Sequence, residues 1–366
     1  MSAYHGGDLT AVAREFGRDP AALLDFSANV NPLGPPAGVL DVLRAVLADP
    51  RRLSRYPDPR AAALVEVAAR ALGVAADRVV VGNGGAALLD AAVRALGARR
   101  CVLPVPAFSE YARALGAAGI AIVPVELRAA DDFALDLVRL LVAVHESGAD
   151  LCVLANPHNP SGALLPRPAM LALVAELAQQ GCAAIVDEAF VDYVPGESIV
   201  GELDPELPVV VLRSLTKFYA IPGLRIGYAS ASPALAPRLR DAFPSWPTGS
   251  VEQAAARAAL ADEAYAHRTR RENAAAREPL VAALTRVGVR VLPSAANFLL
   301  LDVSAVASDA IALRARLVRE EGIVVRAFPG EPALESAYLR VAVRAGFENA
   351  QLVAALERAT DRRHPA

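Results

Sequence analysis

Val209-Val210-Val211-Leu212-Arg213-Ser214-Leu215-Thr216-Lys217-Phe218-Tyr219-Ala220-Ile221-Pro222-Gly223-Leu224-Arg225 runs from an apolar strand candidate, past two hydroxyls and a lysine, and across a Pro-Gly turn to an arginine. Lys217 is the only lysine in 366 residues, although Lys and Arg together number 37. Arginine can replace lysine as a surface cation, but a guanidinium stays protonated and is not a useful amine nucleophile. The lone lysine is therefore either an accident of an arginine-rich chain or the place where an amine is needed, and composition leaves both open.

The strand before it is one of a series. Residues 78–82, 100–105, 120–125, 150–155, 183–187, 209–214 and 226–229 are short apolar runs, and 85–96, 109–118, 135–146 and 168–180 between them have helical apolar spacing. This alternation predicts an α/β fold, a doubly wound and mostly parallel sheet covered on both faces, in a large domain of residues 41–250. Pro244-Ser245-Trp246-Pro247-Thr248-Gly249-Ser250 interrupts the pattern as a boundary. Beyond it, one long helical segment over about 251–287, strands near 297–302, 323–326 and 338–343 and a helix over 349–361 predict a smaller α+β domain, 251–366. Residues 1–40 form an N-terminal segment whose turn-rich stretch 25–34 has no periodicity.

The same arithmetic excludes several function classes. A net charge of −3 offers no electrostatic footprint for nucleic acid or an anionic membrane. No apolar run approaches the ~20 residues of a membrane span. The opening Met1-Ser2-Ala3-Tyr4-His5-Gly6-Gly7-Asp8 lacks the basic and apolar regions of a signal peptide. Cys101, Cys152 and Cys182, odd in number and set in apolar runs, read as buried thiols of a cytoplasmic protein. The five histidines are scattered and no metal-ligand spacing occurs.

In open parallel sheets ligands sit outside the carboxyl ends of the strands, so the polar residues that end the apolar runs are the site candidates. Asp187 ends one, and Asn159 follows another in Asn156-Pro157-His158-Asn159-Pro160-Ser161-Gly162. Ser214, Thr216 and Lys217 follow a third, with Arg225 eight residues on, and Asn83-Gly84-Gly85-Ala86 opens a helix. Singly each has a plain explanation: a helix cap, a turn former, a solvated charge. Jointly they suit pyridoxal 5′-phosphate. A lysine amine meets its aldehyde, a carboxylate keeps its ring nitrogen protonated, and helix amides at Gly85 and Ala86 with hydroxyls and an arginine hold its phosphate. Phe108 could stack on the ring or simply fill core.

With these motifs in this order, the chain resembles the fold-type I pyridoxal-phosphate enzymes of the aspartate aminotransferase superfamily over essentially its whole length. Within them it is most similar to the threonine-phosphate decarboxylases of cobalamin biosynthesis, through His5-Gly6-Gly7, residues 25–34 and the Arg213–Arg225 block. The resemblance implies that Lys217 carries the cofactor, Asp187 pairs with the ring nitrogen, Asn159 contacts the ring hydroxyl and Phe108 stacks. It further implies that Ser214, Thr216, Arg225 and the Gly85 and Ala86 amides take the cofactor phosphate, and that Tyr56 reaches the neighbouring site of a homodimer. His5, Gly6, Asn29, Asn159, Arg326 and Arg340 match positions around a phosphorylated amino-acid substrate, and residues 1–40 are expected against the smaller domain and the site. Three features depart from the pattern. Gly85-Ala86-Ala87 replaces the side chains relatives use in the phosphate turn, the Pro244–Ser250 loop is longer than the compact Pro-Trp turn of the family, and Phe190 stands where many aminotransferases have tyrosine.

The resemblance implies decarboxylation of L-threonine O-3-phosphate, with histidinol-phosphate aminotransferase as the alternative. The two reactions differ in which bond at the substrate α-carbon stands perpendicular to the cofactor ring, which no sequence displays; tolerance for phosphoserine is equally illegible. A non-catalytic regulator on this fold would need a DNA-binding segment that the chain lacks.

Overall fold

The computed structural model describes residues 6–361. Its strands are β1 (Leu24–Asp25), β2 (Val79–Gly82), β3 (Arg100–Val105), β4 (Ala121–Glu126), β5 (Leu151–Ala155), β6 (Ala183–Asp187), β7 (Val209–Ser214), β8 (Gly227–Ala231), β9 (Arg290–Val291), β10 (Phe298–Asp302), β11 (Ile323–Val324) and β12 (Tyr338–Ala342). Its α-helices are α1 (Leu9–Phe16), α2 (Ala37–Leu47), α3 (Pro50–Leu53), α4 (Ala62–Leu72), α5 (Gly85–Leu96), α6 (Ser109–Ala117), α7 (Leu137–Ser147), α8 (Arg167–Gln179), α9 (Leu235–Asp241), α10 (Ser250–Ala261), α11 (Glu263–Arg286), α12 (Ala310–Arg316) and α13 (Gly346–Asp361).

Seven strands form the main sheet in the order β2-β8-β7-β6-β5-β3-β4. The period of two sorts the side chains of each continuous apolar run between two cores. On β7, Val210 and Leu212 face one core with α5 and α9, while Val209 and Val211 face the other with Met170 and Leu173 of α8. Burial on both faces explains why these runs show no polar alternation. The expectation of a mostly parallel sheet holds, with one strand against it: β8 runs antiparallel to both β7 and β2. Because it opposes both neighbours, β2 points the same way as β7, so β2, β3, β5, β6 and β7 all end on one edge.

The long helix expected over 251–287 is two. The chain breaks at Asp262, whose carboxylate accepts a hydrogen bond from Tyr265 N and caps α11. α10 packs on α2 and α4, so the first helix past the Pro-rich loop lies against the large sheet's helices. The remaining strands make a three-stranded antiparallel sheet, β12-β10-β9, and a parallel pair, β1 with β11. That pair, with Ala342 N donating to Phe26 O, fastens the turn-rich N-terminal stretch to the C-terminal part of the chain. Asn31 N donates to Lys217 O, so the same stretch also lies on the lysine turn.

Among the described residues no helix is long and apolar enough to cross a membrane, and no His/Cys/Asp/Glu cluster could hold a metal ion. The three cysteines are buried and free.

Candidate active site

The shared carboxyl edge gathers the predicted residues. β7 ends in Ser214, and the turn after it places Lys217 Nζ 2.9 Å from Thr216 Oγ1, which is itself 2.8 Å from Ser214 Oγ. Burial lowers the Lys217 amine from 10.5 to about 8; Asp187 pulls it up, and Arg225 and Arg340 push it down. Near neutral pH an appreciable share of the amine is therefore neutral and nucleophilic.

Asp187 ends β6 beside it. Its Oδ2 accepts a 2.7 Å hydrogen bond from the Tyr111 hydroxyl and its Oδ1 one of 3.0 Å from Ala189 N. Burial raises its pKa, while those two donors and Lys217 act in the opposite direction. A carboxylate held this way suits a buried cationic ring nitrogen, because the partner's charge repays its desolvation.

β2 leads through Gly84 into the mouth of α5. Gly84 adopts φ 83° and is the N-cap of α5 with no side-chain cap, so the first amides of the helix are left for another acceptor. A Cβ on Gly84 would lie 2.7 Å from Arg225 Nη2. The guanidinium thus rests directly on the mouth of α5, where its charge and the helix N-terminus together favour an anion. Residues 84–87 are Gly-Gly-Ala-Ala, and the glycine at 84 is what lets the arginine close on the helix mouth.

Asn159 Oδ1 accepts from Arg340 Nη1 at 2.5 Å, and Arg340 Nη2 donates to Ser27 O at 3.1 Å. Arg326 and Arg340 pair through an antiparallel bridge. Burial and Arg326 push the Arg340 guanidinium down to about 9, with Asp25 opposing, which leaves it a cation at neutral pH. The two cations are neighbours, with the Asp25 carboxylate acting on Arg340 and Glu331 beside Arg326. Asn29 is buried, and its Oδ1 has no hydrogen-bond partner among the described residues. A Cβ on Gly6 would overlap the carbonyl of Ser27, so the chain passes there only as glycine. His5 lies outside the described residues.

Other expected residues stand apart. Phe108 precedes α6 and meets Tyr111 edge-on, with ring centroids 5.6 Å apart. Phe190 is buried against Phe298 at 4.9 Å. Tyr56 is 82% exposed and stacks on Trp246 of the Pro-rich loop at 4.6 Å.

Three further residues support the site without any motif in the sequence that marks them. Tyr111 is the first. His158 is the second: its Nδ1 pairs with Ser161 Oγ at 2.7 Å and its Nε2 with Pro106 O at 3.1 Å, joining the Asn159 loop to the Phe108 loop. Burial lowers it to about 4, so it is neutral. The third is Arg213, buried between Glu188 at 3.2 Å and Asp192, which ties the ends of β6 and β7 together one residue behind Asp187 and Ser214. Arg213 stands four residues before Lys217 and Glu188 directly follows Asp187, but nothing in the sequence shows that Arg213 pairs with Glu188 and Asp192.

Residues 21–358 match the profile of the family described as aminotransferase class I and II. The chain belongs to that family. Among its members, threonine-phosphate decarboxylase of Salmonella typhimurium is 36% identical over 360 residues, covering 96% of this chain and 95% of that one. Histidinol-phosphate aminotransferase 1 of Cupriavidus pinatubonensis is 33% identical over 363 residues, 97% of this chain and 93% of that one. The crystal structure of histidinol-phosphate aminotransferase from Sinorhizobium meliloti in complex with pyridoxal 5′-phosphate superposes with a TM-score of 0.86 at 28% identity, covering both chains fully. The class I and II aminotransferase fold is thus the fold-type I architecture that the resemblance implied.

Proposed function

We propose that the protein is a pyridoxal-phosphate-dependent decarboxylase that converts L-threonine O-3-phosphate to (R)-1-aminopropan-2-ol O-2-phosphate, the linker precursor of the cobalamin nucleotide loop. The observation that carries this choice of reaction is the 36% identity to the Salmonella decarboxylase, sustained over 96% of this chain. The geometry fits the cofactor independently. Gly84 leaves room for Arg225 over an uncapped helix mouth, and a half-buried carboxylate faces the amine of the chain's one lysine.

In this reading Lys217 binds the cofactor, Asp187 faces its ring nitrogen, Asn159 its ring hydroxyl, and Phe108 covers one ring face. Ser214, Thr216, Arg225 and the amides of Gly85 and Ala86 hold its phosphate. When bound, pyridoxal phosphate supplies an electron-withdrawing ring conjugated to the substrate amine, able to accept the electron pair left by departing carbon dioxide. Arg340 and Arg326 bind and orient the anionic substrate groups with His5, Gly6 and Asn29. Lys217 Nζ, an amine whose pKa burial lowers, would be the group placed to hold a proton and deliver it to the α-carbon once the carboxylate has gone. The protein works in the cytoplasm as a homodimer in which Tyr56 completes the neighbouring site. The N-terminal segment 1–40 and units 41–250 and 251–366 enclose the cleft.

The test is a product assay on the purified protein with pyridoxal phosphate. Phosphothreonine should yield carbon dioxide and the amino alcohol phosphate in equal amounts. Glutamate formed from 2-oxoglutarate with histidinol phosphate, and no carbon dioxide, would replace this reading with the aminotransferase one.

A further inference from the structure

Tyr111 Oη lies 2.7 Å from Asp187 Oδ2, on a residue only 3% exposed, and the contact spans 76 positions of sequence. Ala189 N supplies the donor to the other oxygen, Oδ1. Each carboxylate oxygen thus has one fixed donor within the fold, and its remaining lone pairs are free to meet a ligand. The Tyr111 ring also stands edge-on to Phe108 at 87°, so one side chain touches both residues that flank the cofactor ring in the reading above.

We propose that Tyr111 is a positioning residue: its phenol holds the Asp187 carboxylate anionic and aimed, and thereby keeps the proton on the cofactor's ring nitrogen. This rests on the cofactor assignment given under the proposed function. A buried phenol facing a carboxylate titrates well above its ordinary value, so Tyr111 stays a donor throughout the working range. A donor to Oδ2 stabilises the carboxylate and makes it a weaker base. Burial works against this by making Asp187 a stronger base. Without the phenol, the proton shared between carboxylate and ring nitrogen shifts towards the carboxylate, and the ring loses the charge that draws electrons.

Packing alone is the competing role, because Tyr111 also lines an apolar cavity of about 100 Å³ with Leu103, Phe133, Val153 and Met170. Tyr111→Phe keeps the ring and removes only the hydroxyl. The experiment loads wild-type and Tyr111→Phe protein with pyridoxal phosphate labelled with nitrogen-15 in the ring and follows that nitrogen's resonance from pH 6 to 9. We expect the wild-type signal in the protonated position and the variant signal moved towards the unprotonated one. Cofactor affinity should also fall roughly tenfold or more, the scale of a lost hydrogen bond to a charged group. If the variant does not fold, difluorotyrosine at position 111 keeps the shape and sharpens the donor; the nitrogen resonance should then lie further towards the protonated position. An unmoved resonance in whichever variant folds overturns the assignment. A wild-type protein that takes up no cofactor on Lys217 overturns this and the cofactor reading together.

Discussion

Lys217→Met in the cofactor-free protein separates the electrostatics of the site from its chemistry. The amine titrates at about 8 instead of 10.5, chiefly through desolvation. A difference of about 2.5 units at about 1.4 kcal/mol each sets a penalty of roughly 3 kcal/mol on the folded state wherever the amine is charged. Two effects reduce what the substitution recovers. Nζ donates to Thr216 Oγ1 at 2.9 Å, a bond worth about 1 kcal/mol, and the partly open side chain lets solvent screen some of the charge. A net gain of about 1–2 kcal/mol remains. The sign follows from the depressed folded value. Below pH 8 both states hold the proton and the full penalty stands. Between 8 and 10.5 only the unfolded chain holds it, so wild-type stability climbs relative to the variant, and above 10.5 the penalty is gone. Urea unfolding of both apo proteins from pH 7 to 10.5 measures this. The methionine protein should be the more stable at pH 7, and the order should reverse before pH 10.5, where the penalty is gone and the wild type still has its bond to Thr216. A difference that is flat across that range would refute the claim that the lysine is held out of water.

Gly84→Ala puts a Cβ 2.7 Å from Arg225 Nη2 at a residue with φ 83°. The left-handed backbone costs an L-residue about 1–2 kcal/mol, and the arginine must retreat from the helix mouth. Cofactor affinity of the apo protein, read by fluorescence titration, should drop about tenfold or more, and an unchanged affinity would remove the phosphate site from this edge. Mixing Tyr56→Phe with Lys217→Ala subunits tests shared sites. Random reassortment leaves half the dimers mixed with one intact site each, about a quarter of wild-type activity, whereas sites built within one chain would recover none.

What the sequence displays depends on how far apart the cooperating residues lie along the chain. Asp187, Ser214 and Lys217 were legible because each follows its own apolar strand, and strands buried on both faces leave polar groups only at their ends. The break at Asp262 was not, because a helical pattern continues through it and the cap is a single side chain. Tyr111 was illegible for a different reason: three residues past Phe108, a tyrosine is what any half-buried helix start could carry. Its meaning comes from the register that sets β3 beside β5 and β5 beside β6, which brings Tyr111 and Asp187 together. The same holds for His158 and for Arg213 between Glu188 and Asp192. Residues that touch a ligand can be found from strand ends, since the ligand's own chemistry dictates their types. Residues that hold those in place answer only to the packing, where a phenol, an imidazole or a buried guanidinium can serve equally. A chain read alone therefore shows the chemistry of its site more completely than the scaffold that tunes it, and the Tyr111 hydroxyl, one atom in an otherwise ordinary aromatic, marks where that limit falls.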